Sequence, residues 1–256
     1  MARTPDGPPP PPAVQKLRVR YAKRGRLRFT SHRDIQRSLE RALRRSDVPM
    51  AYSAGFSPHP KVSYAGAAPT GTASEAEYLE ISVTQRCDPE ALRAALDESM
   101  PPGLDVLEVV EAGPGSLADR LQASTWRIEL PGVAVEDARS AVEQFLARPE
   151  VTVQRMMKNG LRTFDTRSAV HTLVLEGPGP LASDRSDGPG CAILRAVVRH
   201  TTPAVRPDDV LTALRVVADL VPPSAPRVTR LAQGPLDDAS GAVSDPLDTD
   251  RGTVGS

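Results

Sequence analysis

Leu17-Arg-Val-Arg-Tyr21 alternates apolar and basic residues, and the apolar positions that follow, Ile35, Leu39, Ala42 and Leu43, recur at helical spacing. The first pattern has the period of two of a half-buried strand, with Leu17, Val19 and Tyr21 on one face and Arg18 and Arg20 on the other. The second gathers its apolar residues on one side of a helix. Between them Lys23-Arg-Gly25 turns the chain, Leu27-Arg-Phe29 reads as extended, and Thr30 or Ser31 stands where a helix cap belongs. Further on, 62–65 reads as a short strand and 75–83 as a longer one with Leu79, Ile81 and Val83 on its buried face. Asp88 caps a helix with Pro89 in its first position, Pro101-Pro-Gly103 ends it, and 104–111 is a strand. The order β-α-β-β-α-β is the ferredoxin-like pattern.

A similar order follows. Strands are expected at 125–130, 151–157, 170–175, 192–199 and 227–231, and helices at 135–147 and from Pro207. Lys158-Asn-Gly160 is a hairpin signal. The expected fold class is α+β, two tandem ferredoxin-like modules with disordered termini. The division is a proline-rich tail at 1–14, a module at 15–112, a linker at 113–123, a module at 124–232 and an acidic tail at 233–256.

A chain of 256 residues with 39% hydrophobic and 25% charged residues suits a globular protein of two ordinary domains. No apolar run approaches the length of a membrane span, and the start, Met-Ala-Arg-Thr-Pro-Asp-Gly with five prolines after it, lacks the apolar core of a signal peptide. A cytoplasmic protein with no membrane partner is expected. Cys87 and Cys191 stand alone, without the paired spacing of a zinc site or a disulfide framework. No metal and no cofactor are expected. The net charge of zero hides an asymmetry. Residues 16–61 hold thirteen Lys/Arg against three acids, and residues 75–119 hold eleven acids against two arginines. The first stretch is a candidate surface for a polyanion, the second its acidic counterweight.

Candidate site residues fall in the basic stretch. Arg33, Arg37, Arg41, Arg44 and Arg45 form a stripe beside the apolar face of the helix, with Glu40 nearly the only acid near them. A solvated face is the common fate of such a stripe; the shortage of acids favours polyanion contact. In Tyr52-Ser-Ala-Gly-Phe-Ser-Pro-His-Pro-Lys61, the two prolines and Gly55 make a stiff loop carrying Ser57, His59 and Lys61, a set suited to an anionic or polar ligand. Tyr52 and Phe56 either plug the core or stack on a base. His32 stands in the first turn of the helix beside Ser31, Arg28 and Arg33, where a helix N-terminus favours anions. His32 and His59 are the candidates for acid–base work, since imidazole titrates near neutral pH. The spacing of His32, Asp34 and His59 is not diagnostic of a metal site. Arg18 and Arg20 extend the basic surface, Lys158 can reach a phosphate, and Asp165 with Arg167 forms an ion pair or lines a groove.

The run from Arg20 to Asp34, the run from Tyr52 to Lys61 and Ser74-Glu-Ala-Glu-Tyr-Leu-Glu80 resemble the radical SAM-linked protein family, over roughly residues 15–232. Lys158-Asn-Gly160 and Asp165-Thr-Arg167 are the best matches in the second half. Members of that family are encoded beside, or fused to, a radical SAM protein, and form a domain of unknown function. The resemblance implies such a protein as partner. A radical enzyme needs three closely spaced cysteines to hold its cluster, which this chain lacks. The expected function is that of an accessory protein that binds RNA, tRNA or ribosomal RNA, and presents it to the radical SAM partner. One alternative is a metal-independent endoribonuclease using His32 or His59, by analogy with the tandem ferredoxin-like RNA-processing enzymes of CRISPR systems. The other is a protein-interaction subunit without nucleic acid.

Overall fold

A computed structural model of the chain describes residues 10–158, 160–178 and 190–251. The fold is α+β, and the chain divides into two compact units, Met1–Arg120 with Pro246–Ser256, and Leu121–Asp245. Among the described residues no helix is long and apolar enough to cross a membrane.

The first unit begins with β1 (Gln15–Lys23), a 3-10 turn (Gly25–Phe29) and α1 (His32–Arg45). It continues through β2 (Val62–Ala65), β3 (Ala73–Val83), α2 (Pro89–Ser99), β4 (Val106–Glu111) and the short α3 (Leu117–Arg120). Within this unit the strands lie in the order β4-β1-β3-β2, every pair antiparallel. The register sets Leu17 opposite Ile81 and Val19 opposite Leu79. These side chains are buried with Ile35, Leu39 and Leu43 of α1 and Leu92 and Leu96 of α2. Asp88 accepts the Ala91 amide at 2.8 Å and, with Pro89 after it, starts α2 as its sequence dictates. The stretch read as extended at 27–29 is instead the 3-10 turn. Gly25 takes φ +55°, and the Leu27 and Thr30 amides bond back to Arg24 and Leu27 at 3.1 and 3.0 Å.

The second unit holds β5 (Ala123–Pro131), α4 (Val135–Leu146), β6 (Thr152–Met157), β7 (Gly160–Asp165), β8 (Val170–Pro178), β9 (Cys191–Arg199), α5 (Pro207–Ala218) and β10 (Arg227–Gly234). Its strands lie in the order β10-β5-β9-β8, while β6 and β7 form a separate two-stranded sheet through the turn at Lys158. Phe145 of α4, Leu214 of α5, Ile128, Leu130, Leu173 and Leu194 fill the core.

The expected tails fare differently. Residues 1–9 and 252–256 lie outside the described residues, as do Asn159 of the expected hairpin turn and residues 179–189. The acidic tail expected at 233–256 is folded as far as Arg251. Leu236 bridges to Val243, and α6 (Asp248–Arg251) follows Leu247, which is fully buried. Composition argued for disorder because acids solvate well; here one of them, Asp250, has a buried cation to meet.

Candidate functional site

α1 is set by both of its ends. Ser31 accepts the Asp34 amide at 3.2 Å and donates its hydroxyl to the Asp34 carboxylate at 2.7 Å, closing the N-terminus. At the C-terminus the Asp47 amide bonds to the Arg44 carbonyl at 3.3 Å and the Val48 amide to the Leu43 carbonyl at 3.1 Å. That is a Schellman ending, and it puts Asp47 at φ +47°, where glycine is the usual residue. Ile35, Leu39, Ala42 and Leu43 are buried, so Arg33, Arg37, Arg41, Arg44 and Arg45 are turned to solvent.

The arginines of this stripe have few partners, local ones except for the contact of Arg45 with the end of α2. Arg37 meets Asp34 at 3.5 Å, Arg41 the Ser38 hydroxyl at 3.2 Å, Arg44 the Glu40 carbonyl at 3.2 Å and Arg45 the Ser99 carbonyl at 3.4 Å. Arg33 makes no hydrogen bond or ion pair among the described residues. Exposed contacts of this kind contribute little. The acidic stretch is engaged elsewhere in the same unit. Glu75 and Asp105 hold Arg24, Glu80 holds Arg18, Glu108 holds Arg251, and Glu111 takes Arg86.

The loop after α1 is closed at its neck. Tyr52 bridges to Pro60, the Ser53 amide donates to the His59 carbonyl at 2.9 Å, and the His59 amide donates to the Ser53 hydroxyl at 3.0 Å. Gly55 takes φ +135° at the tip. Phe56 is 71% exposed and Tyr52 40%, so neither plugs the core; Ser57, His59 and Lys61 are exposed too. Between this neck and the C-terminal half of α1 lies a groove of about 420 Å³. Leu43, Val48 and Met50 form its apolar part, Tyr52, Pro58 and Pro60 belong to the loop side, and Glu40, Arg44 and Asp47 supply its charges.

His32 sits at the other end of the helix. Its ring meets Tyr64 of β2 edge-on at 5.1 Å, and Gln36 lies 3.1 Å from its Nε2. The Tyr64 hydroxyl is buried without a hydrogen-bond partner; burial first, and then the Glu40 charge, push its pKa well above the usual phenol value. Pro58 and Pro60 flank His59 and line the groove beside Glu40, Leu43 and Arg44, some 12–18 Å along the helix from His32 at about 1.5 Å per residue. The two imidazoles are therefore not brought together. Arg28 is half-buried, its guanidinium 4.7 Å over the Phe29 ring and its Nε enclosed without a partner. Among the described residues no three His, Cys, Asp or Glu side chains are grouped to hold a metal, and both cysteines are free.

Two of the expected contact residues are placed otherwise. Arg18 is fully buried rather than part of a basic surface. Its Nη1 donates to both Asp250 oxygens at 2.8 Å, its Nε to Glu80 at 3.0 Å and its Nη2 to the Gly115 carbonyl at 2.6 Å. Asp250 further accepts from Arg120 at 2.9 Å and from the Gly113 amide at 3.0 Å. Burial pushes the Asp250 carboxyl up, but these donors outweigh it and hold the group below the usual carboxylate range. Arg20 is half-buried, its Nε on the Glu75 carbonyl at 3.0 Å. Lys158 belongs to the second unit, where it lines a cavity of about 470 Å³ with Met157, Arg162, Thr202 and Pro203. Asp165 and Arg167 form no ion pair with each other: Asp165 accepts the amides of Val151, Arg167 and Ser168, and Arg167 reaches the Val170 carbonyl at 3.1 Å. The sequence reading missed Glu40, Asp47, Val48 and Met50 as groove residues; an aspartate where a helix C-terminus calls for glycine was the available signal.

Among curated proteins none matches the chain. Among solved structures, the crystal structure of an unknown protein from Galdieria sulphuraria matches 80% of this chain and 92% of its own, at 18% identity and a TM-score of 0.24, too distant a likeness to carry an argument. One family model, described as an uncharacterized protein conserved in bacteria (DUF2344), matches residues 16–207, three quarters of the sequence. The chain belongs to the DUF2344 family.

Proposed function

We propose that this protein is a non-catalytic accessory subunit, built of two ferredoxin-like modules, that binds RNA on the α1 face of its first unit and presents it to a radical SAM partner. The observation that carries the RNA reading is the distribution of charge: five acids of 75–119, Glu75, Glu80, Asp105, Glu108 and Glu111, are taken up by Arg18, Arg24, Arg86 and Arg251, while the arginines of α1 stay exposed. An exposed guanidinium row suits phosphates, which Arg33, Arg37 and Arg41 contact. Phe56 and Tyr52, exposed on the loop next to the helix, offer flat faces for unpaired bases. Strand order and element sequence in each unit support the ferredoxin-like assignment. The partner rests on the family resemblance, and the two separated cysteines leave the radical chemistry to it.

The test is binding of labelled tRNA across a salt titration, with the RNA followed on a gel. Tight, salt-sensitive binding without cleavage is expected. Arg37→Glu with Arg41→Glu removes two phosphate contacts and lowers the salt slope by roughly 1.5. No binding at low salt, or a slope that the double variant leaves unchanged, refutes the reading. Cleavage that disappears in His32→Ala or His59→Ala assigns the protein to the nucleases instead.

A further inference from the structure

We propose that the groove between α1 and the neck of the 52–60 loop is a base-selective subsite that takes an unstacked guanine. The proposal rests on the RNA reading for its context but on separate residues for its chemistry. Three charged side chains, Glu40, Arg44 and Asp47, line this cavity of about 420 Å³ around the apolar Leu43, Val48 and Met50. Neither carboxylate has a hydrogen bond or ion pair among the described residues, and the Arg44 guanidinium holds only the Glu40 backbone carbonyl, at 3.2 Å. Unpaired acids beside a cation that meets no acid, over an apolar floor, suit a flat ligand with a row of N–H donors on one edge and acceptors on another.

Guanine has that layout. Its N1–H and N2–H₂ donors face a carboxylate without any opposing lone pair, and O6 and N7 accept from arginine. Adenine and cytosine offer one amino group next to a ring acceptor that repels a carboxylate, and the imide of uracil lies between two carbonyls. Tyr52, 40% exposed, is the aromatic side chain at this groove on which the base stacks.

The position of Asp47 points the same way. A left-handed backbone with φ +47° at the C-terminus of α1 costs any residue with a Cβ, and glycine avoids that cost. The aspartate there gives up local stability and gains a carboxylate in the groove.

The experiment has two arms. The first measures ten-nucleotide single-stranded RNAs of oligo-uridine with one central guanine, adenine or cytosine. The guanine oligomer is expected to bind roughly ten-fold tighter, the effect of one good base-edge contact. Glu40→Gln with Asp47→Asn is expected to erase that preference and keep the salt-dependent binding, with Arg37→Glu and Arg41→Glu doing the reverse. Equal affinity for all three oligomers overturns the subsite and leaves the RNA reading standing. The second arm titrates free guanosine and adenosine, which carry no phosphate. Guanosine binding lost in Asp47→Asn supports the subsite even where no oligomer binds; no difference between the nucleosides refutes it. Circular dichroism melts of each variant separate a lost contact from a lost fold.

Discussion

Replacing Asp250 by alanine tests whether the C-terminal segment is an integral part of the first unit. Arg18 and Asp250 are both fully buried and joined through two 2.8 Å contacts to a single guanidinium nitrogen. Removing the carboxylate leaves Arg18 charged and enclosed, with Glu80 and the Gly115 carbonyl as its remaining acceptors. Breaking a buried pair in this way costs about 3–5 kcal/mol. Since Glu80 keeps one contact, the lower end is expected, near ~3 kcal/mol. At about 2–4 °C per kcal/mol for a chain of this size, the melting temperature falls by roughly 10 °C. Replacing both partners together, Arg18→Met with Asp250→Leu, removes the buried charge and is expected to recover most of the loss. The assay is urea unfolding followed by circular dichroism, at neutral pH. The sign of the pH effect follows from the depressed Asp250 pKa. The stability it contributes is present above the unfolded value, about 3.9, and is lost as pH falls through the lower folded value. The Asp250→Asn protein should therefore lose the part of the acid sensitivity that lies below about pH 4. A change under about 1 kcal/mol for Asp250→Ala, the size of an exposed pair, would show that the pair is not buried in solution and would refute the argument.

Asp47→Gly relieves the left-handed backbone at the end of α1 and should stabilise the protein by roughly 0.5–1 kcal/mol in the same urea assay, while abolishing any guanine preference. Ser31→Ala removes the α1 cap and should cost about 1 kcal/mol, read as a lower urea midpoint with unchanged slope. His200 is held by the Ser124 hydroxyl at 2.8 Å and the Leu121 carbonyl at 2.7 Å, and burial, aided by the Arg230 charge and opposed by the Leu121 bond, lowers its pKa. The stability linked to it is present above about pH 6.5 and is lost as pH falls below that; urea midpoints at pH 7.5 and 5 should converge in His200→Gln.

Much of the first unit was legible because its signals are local. The alternation Leu17, Val19, Tyr21 and the helical spacing of Ile35, Leu39 and Leu43 depend on residues within a few positions of one another, and all six are buried. Arg18 was misplaced because alternation identifies a strand with two faces but not that both are covered. Its main partner stands 232 positions away, in a segment whose composition reads as a solvated tail. The stiff loop at 52–61 was legible from Pro58, Pro60 and Gly55, since each constrains its own backbone. The groove it forms was not, because Glu40, Asp47 and Met50 line one cavity only once the Schellman turn sets the chain after α1 against the loop's neck. The pairing of β6 with β7 is what the hairpin signal at Lys158 and Gly160 leads one to expect, whereas its separation from the other strands of the unit has no local signature.

The charge asymmetry of a neutral sequence is resolved by strand register. Antiparallel pairing sets Arg18 opposite Glu80 in β3 and Arg20 opposite Glu108 in β4, so the basic residues of β1 face the acids of the next two strands across the ladder. Those acids are then committed: Glu80 to Arg18, and Glu108 to Arg251 of the C-terminal helix. α1 takes no part in the ladder, and its spacing turns the apolar residues inward and five arginines outward. The cations of residues 16–61 thus differ by element: Arg18 and Arg20 of the strand are held within the unit, and the five arginines of the helix stay exposed. A one-residue slip of β3 against β1 would send Glu80 to the opposite face and strand Arg18 beside Asp250 alone, so register, and not the number of arginines, decides which surface is cationic.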